Sequence, residues 1–77
     1  MVAKKPEKHA EFLKKLGDRI VSLRKKKGLS QEELAFDCGW DRTNLKKIEK
    51  GKMNVTVKTL FKLCEGLGIS FRELTDI

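Results

Sequence analysis

The apolar positions in the first third of the chain recur at steps of three and four residues. Polar and mostly basic positions separate them, which is typical of a helix with one buried stripe and a solvated remainder. The stripe consists of Phe12, Leu13, Leu16, Ile20 and Leu23. Pro6 suits a first helical turn, and Gly28 suits a left-handed cap behind the last turn. The pattern predicts one long amphipathic helix between these two residues, weakened slightly by Gly17.

Two short helices are predicted next, each with a capping side chain at its start and a glycine behind it. Ser30 and Glu33 have the spacing of a capping box, and Asp41 offers an N-cap oxygen to the second of the two helices. Gly39 and Gly51 are placed to end them. The residues expected to face inward are Leu34, Ala35 and Cys38 in the first helix, and Leu45 and Ile48 in the second.

The last third of the chain predicts two more helices. Thr56 can cap a fourth helix that ends at Gly68, while Ser70 and Glu73 repeat the capping box and open a short terminal helix. The apolar positions are Leu60, Leu63, Cys64 and Leu67 in the fourth helix, and Phe71, Leu74 and Ile77 in the fifth. With no strand pattern and short connections, the predicted fold is all-α, a compact five-helix bundle.

The length of the chain suits one domain with one small core, since it has 77 residues. We expect residues 6–77 to form this domain and residues 1–5 to form a basic N-terminal arm. Apolar residues make up 39% and charged residues 38%, a balance that fits a folded helical globule. The sequence shows neither a leader pattern nor a long apolar run, which predicts a cytoplasmic protein without a membrane span.

The charge of the chain favours an anionic partner. Eighteen Lys and Arg residues against eleven Asp and Glu residues give a formal net charge of +7. Nucleic acid is the leading candidate, ahead of an acidic membrane or an acidic protein.

The sequence offers little for metal binding or catalysis. Cys38 and Cys64 have no C-x-x-C spacing, and together with His9 they do not make a zinc-ligand set, so we expect two buried free thiols and neither metal nor cofactor. One histidine, no tyrosine and no phosphate-binding loop predict that the protein is not an enzyme.

The second and third predicted helices, joined by a turn with a glycine, have the dimensions of a helix-turn-helix unit. In such a unit the second helix can enter the major groove of DNA. Because Leu45 and Ile48 fix the buried face of that helix, the outer face is polar. It carries Arg42, Thr43, Lys46, Lys47 and Lys50.

Each of these side chains has a chemistry suited to DNA. The planar fork of Arg42 can bond guanine O6 and N7 together, and Thr43 can offer a methyl or a hydroxyl group to thymine. Lys46 or Lys47 can reach a guanine acceptor or a phosphate. Asn44 is either a base reader or a local cap residue.

Contacts to the DNA backbone are predicted at both edges of the unit. Gln31 begins the second helix, where unpaired backbone N–H groups suit a phosphate and the glutamine side chain can brace that contact. Lys50 and Lys52 lie at and beyond the end of the third helix, where they can hold the flanking phosphates.

Two long stretches resemble a known family: "LGDRIVSLRKKKGLSQEELAFDCGWDRTNLKKIEKGK" and "VKTLFKLCEGLGISFRELTDI". They resemble the Cro/phage-repressor type of helix-turn-helix domain, also called the XRE family, over residues 16–77. The segments "GLSQEELA", "IEKGK" and "LGIS" carry most of the resemblance. It implies a lambda-repressor-like fold and binding to double-stranded DNA. Within the family, "LAFDCGWDRT" is similar to the controller proteins of restriction-modification systems.

The same resemblance implies a structural ion pair. Members commonly pair an arginine of the first helix with the glutamate of the "IE-G" motif, which here joins Arg24 to Glu49. The alternative is that Arg24 is one more member of the basic run that ends at Lys27. Many members have a proline where this chain reads Asn54 and Val55, so the loop after the third helix is expected to be less restricted.

Several apolar side chains have two possible roles. Trp40 is expected to anchor the core, with a wedge into DNA as the alternative, and Phe36 to pack on the first helix, with a partner contact as the alternative. The terminal apolar residues, Phe71, Leu74 and Ile77, are expected in the core but can also form a dimer surface.

Two functions follow from these observations. The first is a sequence-specific transcriptional regulator that binds two DNA half-sites as a homodimer. The alternative is an antitoxin-like interaction module that binds a protein partner and uses DNA for autoregulation.

Overall fold

The structure, a computed structural model, describes residues 7–77, and within that range it contains five helices and no strand. They are α1 (Glu7–Lys26), α2 (Gln31–Cys38), α3 (Arg42–Glu49), α4 (Val57–Leu67) and α5 (Phe71–Leu74). The prediction of an all-α five-helix bundle is confirmed. The predicted basic arm at residues 1–5 lies outside the described residues, as does Pro6.

Local capping sets the helix ends, as the sequence predicted. The Ser30 hydroxyl accepts a bond from the Glu33 N–H, and the Glu33 carboxylate accepts one from the Ser30 N–H. Ser70 and Glu73 repeat this arrangement at the start of α5. The N-caps of α3 and α4 are Asp41 and Thr56. The turns behind the first four helices use the left-handed region at Gly28, Gly39, Gly51 and Gly68, with φ between 67° and 75°.

The core lies between α1, α2, α3 and α4, and Leu74 of α5 packs into it. Seven large side chains are almost fully buried: Leu16, Ile20, Leu34, Leu45, Leu63, Leu67 and Leu74. Trp40 is half-buried against this core, so its expected role as a core anchor is confirmed. Because α2 packs on both α3 and α4 while α1 packs on α3 and α5, α3 is held from two sides.

Gly17 marks a close crossing of α1 and α3. A Cβ at this position would collide with the backbone carbonyl oxygen of Glu49 and would lie 2.8 Å from that of Ile48. Glycine is therefore needed here for space, in addition to any effect it has on helix propensity.

Two phenylalanines that were expected to be buried are exposed. Phe12 was assigned to the buried stripe of α1, but it is 40% exposed, because residues 8–12 are all exposed and burial in α1 begins at Leu13. Phe36 is 81% exposed, which corrects the expected packing. It lies two residues after Leu34, about 200° around the helix from a fully buried position, so it faces solvent.

The terminal apolar set is only partly core. Leu74 is fully buried, whereas Phe71 and Ile77 are 39% and 46% exposed. Phe71 packs on the exposed ring of Phe61 on α4, and Ile77 lies three residues beyond the end of α5, so neither is enclosed as Leu74 is. The expectation of a core role is therefore wrong for Phe71 and Ile77.

Candidate nucleic-acid interface

The core determines which face of α3 points outward. Leu45 and Ile48 are buried, and Asp41 closes the helix start by accepting a hydrogen bond from the Asn44 N–H at 3.1 Å. With the inner face fixed and α1 crossing closely at Gly17, α3 cannot rotate without exposing two large aliphatic side chains. Its polar face is consequently presented on a rigid support.

Six exposed side chains line a shallow concavity on this outer face, which we call the basic hollow. They are Arg42, Thr43, Lys46, Lys47, Lys50 and Lys52. Five of the six are cationic, and the sixth carries a hydroxyl and a methyl group. The structure thus brings together six of the eight residues that the sequence suggested for DNA contact.

The turn after α3 brings Lys52 into this group. Lys50 caps the helix, and Gly51 then reverses the chain with φ of 72°. The Lys52 N–H donates to the Lys47 carbonyl oxygen at 2.9 Å, which fixes the returning backbone beside α3. Beyond the turn, Met53 and Val55 are half-buried against the core and hold the loop in place.

Asn44 lies apart from the basic hollow. It is half-buried and lines a separate small depression with Trp40, Met53 and Asn54, between α3 and the loop that follows it. Of the predicted contact residues in α3, it is the one that the geometry separates from the others.

Arg24 and Glu49 form a buried ion pair behind α3. The Arg24 Nε donates to Glu49 Oε2 at 2.8 Å, and Nη2 lies 3.3 Å from Oε1. The Arg24 Nη1 donates to the Leu29 carbonyl oxygen at 2.9 Å, so one guanidinium joins α1, α3 and the loop before α2. This geometry is that of the pair implied by the family resemblance.

Gln31 extends the ion pair to α2. Its Nε2 donates to Glu49 Oε1 at 2.8 Å, a bond that the sequence analysis did not foresee. The two residues are 18 positions apart with no shared periodicity, so no local signal announces their contact. The amide expected to brace a phosphate is thus engaged with a carboxylate.

An exposed apolar surface lies on α4 and α5. Val57, Phe61 and Phe71 form this apolar strip, and the rings of Phe61 and Phe71 pack with centroids 5.4 Å apart at 42°. A tilted, partly exposed aromatic pair is a common feature of association surfaces.

Both thiols are buried and free, as predicted. Burial raises the pKa of Cys38 to about 11, with the nearby Asp37 carboxylate adding to the effect. Burial likewise raises the pKa of Cys64. Both thiols stay protonated near neutral pH, which suits apolar packing and not nucleophilic chemistry.

Among residues 7–77, no three His, Cys, Asp or Glu side chains lie close enough together to hold a metal ion. In the same range, no helix is both long enough and apolar enough to span a bilayer.

Comparison with known proteins gives concordant results. A helix-turn-helix family model matches residues 20–74. The HTH-type transcriptional regulator y4dJ of Sinorhizobium fredii, itself uncharacterized, is 41% identical over 64 residues, which cover 83% of each chain. The control protein C.MunI of a Mycoplasma species is 44% identical over 61 residues, covering 78% of this chain and 82% of that protein.

Solved structures agree with the sequence matches. The restriction-modification controller protein C.AhdI from Aeromonas hydrophila superposes with a TM-score of 0.83 at 45% identity, over 86% of this chain and 96% of that chain. The similarity to controller proteins suggested by "LAFDCGWDRT" is therefore confirmed. The chain belongs to the helix-turn-helix family, in its Cro/phage-repressor or XRE type.

Proposed function

We propose that this protein is a sequence-specific DNA-binding transcriptional regulator that reads the major groove with α3. The observation that carries the proposal is the basic hollow, in which five cationic side chains converge on the exposed face of α3 and its following turn. A net charge of +7 adds long-range attraction to the phosphate backbone. The family consists of transcriptional regulators, and the protein is not an enzyme.

The position of each side chain along α3 determines whether we assign it to base contacts or to phosphate contacts. Arg42 and Thr43 occupy the first turn, the part of a recognition helix that contacts base edges, so they are assigned to base reading. Arg42 can donate two parallel hydrogen bonds to one guanine. Lys46 and Lys47 extend the same face and can contact either a guanine or a phosphate.

The remaining contacts grip the backbone. Lys50 and Lys52 lie at the far edge of the basic hollow, where each can neutralise one phosphate. At the start of α2, the backbone N–H groups of Gln31 and Glu32 have no hydrogen-bond partner within residues 7–77 and can bind another phosphate. The negative charge of the Glu32 carboxylate repels a phosphate bound at the start of α2. The lysines therefore supply most of the electrostatic affinity.

A homodimer fits this mode of recognition. Two copies related by a two-fold axis read two half-sites, and the apolar strip on α4 and α5 is a self-complementary candidate for their contact. Joining two copies there covers three exposed apolar side chains on each. The antitoxin-like alternative requires another protein to occupy an exposed surface.

The genes under control are proposed to belong to a restriction-modification system. The support is the 44% identity to C.MunI and the 45% identity to C.AhdI. The binding motif is then expected upstream of this protein's own gene and of a restriction or modification gene in the same genome. A motif that occurs upstream of neither would contradict this assignment.

The experiment that tests the regulator function is selection of bound sequences from a random duplex pool at physiological salt. The wild type is expected to enrich a motif with two-fold symmetry, and Arg42→Ala combined with Lys47→Ala is expected to lose or relax it. Lys8→Ala combined with Lys15→Ala is the control, since it removes the same charge from exposed positions of α1.

Each outcome of the selection is decisive. A motif lost only in the α3 variant supports base reading by α3. Salt-sensitive binding without any enriched motif contradicts sequence-specific regulation and favours the interaction-module alternative. Equal loss in both variants means that net charge, and not the basic hollow, determines binding.

A further inference from the structure

The hydrogen bond between Gln31 and Glu49 links α2 and α3 at the two helix ends that lie away from the turn between them. At one end, α2 and α3 are connected covalently by the turn at residues 39–41. At the other end, Gln31 is the first residue of α2 and Glu49 is the last residue of α3. Their 2.8 Å bond therefore closes the pair of helices into a ring.

A helix pair fixed at both ends has a defined interhelical angle. Packing against α1 and the core already restrains α3, and each helix of the pair is only eight residues long. The bond from Gln31 adds a direct polar restraint on the angle between α2 and α3 at the ends far from the turn. It also sets the distance from the start of α2, proposed to bind a phosphate, to Lys50, the residue after Glu49, and to Lys52, three residues after Glu49.

Counting donors and acceptors shows that the orientation of the Gln31 amide is forced. Glu49 is nearly fully buried, and its carboxylate can only accept hydrogen bonds, so Gln31 must turn its Nε2 toward it. The Gln31 Oε1 then points elsewhere, and an acceptor atom gains nothing from a phosphate. At most one N–H of this amide remains for DNA.

We infer that Gln31 is a positioning residue, which sets the register of α3 relative to the DNA backbone through its bond to Glu49. The inference rests on the proposed function and assigns the Gln31 side chain a role other than direct contact with DNA. Arg24 supports the same carboxylate from behind and gives Gln31 a fixed partner. The register of the base-reading side chains thus depends on a residue that reads no base.

A positioning role and a phosphate contact have different consequences. Misplacing α3 weakens binding to the preferred sequence but leaves non-specific attraction to the backbone intact. Loss of a phosphate contact weakens binding to every sequence by a similar factor. The ratio of specific to non-specific affinity therefore separates the two roles.

The test uses Gln31→Met, which keeps the length of the side chain and removes its hydrogen bonds. Affinities are measured for the duplex most enriched in the selection described above and for a random-sequence duplex. We expect the specificity ratio to fall about tenfold, the value of one hydrogen bond to a charged group, with non-specific affinity unchanged. Ser22→Met, an exposed neutral position on α1, is the control and should keep the ratio.

A second variant tests whether the hydrogen bond to Glu49 is the cause of the change in specificity ratio, and it separates that cause from a folding defect. Gln31→Lys keeps an N–H donor for Glu49, so it is expected to retain the wild-type ratio while raising both affinities. Folding of each variant is checked by circular dichroism.

Three results would overturn the inference. The first is a Gln31→Met ratio equal to that of the wild type, and the second is a Gln31→Lys ratio that falls as far as that of Gln31→Met. If the wild type itself enriches no motif, the proposed function fails and the inference fails with it.

Discussion

At the scale of single residues, we propose that the basic hollow makes two kinds of DNA contact. Arg42 is placed at the first position of α3, with a fork geometry that can discriminate bases. Lys50 caps the other end of the helix and carries a compact charge on a flexible stem. Arg42 is therefore expected to govern sequence preference, and Lys50 to govern the dependence of affinity on salt.

Single substitutions at these two positions should have separable effects. Arg42→Ala is expected to cost about 1–3 kcal/mol of discrimination between the preferred duplex and one altered at the contacted base. Lys50→Ala should weaken binding to all sequences and lower the slope of log K against log salt by about one. Titrations of both duplexes over a salt series measure both quantities. Equal loss of discrimination in the two variants would argue against this division.

The buried thiol of Cys38 predicts a pH dependence of folding. An unfolded cysteine ionises near pH 9, whereas burial in the folded protein raises the pKa of Cys38 to about 11. The folded state holds the proton more tightly, so this contribution is complete below pH 9 and is lost as pH rises toward 11. The loss is on the order of 1 kcal/mol at pH 10.

Urea unfolding at pH 8 and pH 10 measures this effect. The wild type should lose more free energy of unfolding between the two pH values than Cys38→Ala, whatever the absolute stability of the variant. The comparison cancels the titration of exposed lysines, which both proteins share. Equal losses would show that Cys38 ionises as easily in the folded chain as in the unfolded one.

At the scale of the elements, the crossing of α1 and α3 determines how firmly α3, the proposed recognition helix, is held. The end of α3 lies against Gly17, so the backbones of the two helices touch with no side chain between them. The ion pair between Arg24 and Glu49 lies in the same region and ties the same two helices together. Close packing and charge pairing therefore act at one end of α3, the end that carries Glu49.

Replacement of Gly17 by alanine should reverse the usual effect of that change in a helix. Alanine normally stabilises a helix interior by about 1 kcal/mol relative to glycine. Here the added methyl meets the carbonyl oxygens of Ile48 and Glu49, so we expect a net destabilisation of about 1–3 kcal/mol.

Chemical denaturation measures the change. Ser22→Ala, at an exposed position of the same helix, is the control and should stabilise by a few tenths of a kcal/mol. A Gly17→Ala protein more stable than the wild type would mean that the two helices can separate at no cost.

At the scale of the whole molecule, the basic hollow and the apolar strip lie on different elements. The basic hollow belongs to α3 and its following turn, while the apolar strip belongs to α4 and α5. This separation allows one surface to contact DNA while the other contacts a second copy of the chain. Assembly and DNA binding can then be disrupted independently.

Phe61→Asp tests this arrangement. A carboxylate in the apolar strip should prevent its burial, so the variant is expected to be a monomer by sedimentation and to lose affinity for a two-fold symmetric duplex. Phe36→Asp is the matched control, because Phe36 is more exposed than Phe61 and lies on α2, outside the strip. A Phe61→Asp protein that still sediments as a dimer would place the assembly surface elsewhere.

The amino-acid sequence by itself determined the helix ends, most of the buried stripe and the group of cationic residues on α3. The reason is that these features are local. Ser30, Asp41, Thr56 and Ser70 are each satisfied by a backbone N–H three residues away. The period of the apolar residues is likewise fixed by helix geometry before any helix meets another.

Only the tertiary structure decided which of these residues meet. Gln31 and Glu49 are 18 positions apart, and their bond exists because α2 and α3 dock at one angle. The need for Gly17 arises from the depth at which α3 approaches α1. Phe12 and Phe36 have the same apolar chemistry as the core residues, but no helix within residues 7–77 covers them. Burial depends on what packs opposite a side chain, which a local pattern does not contain.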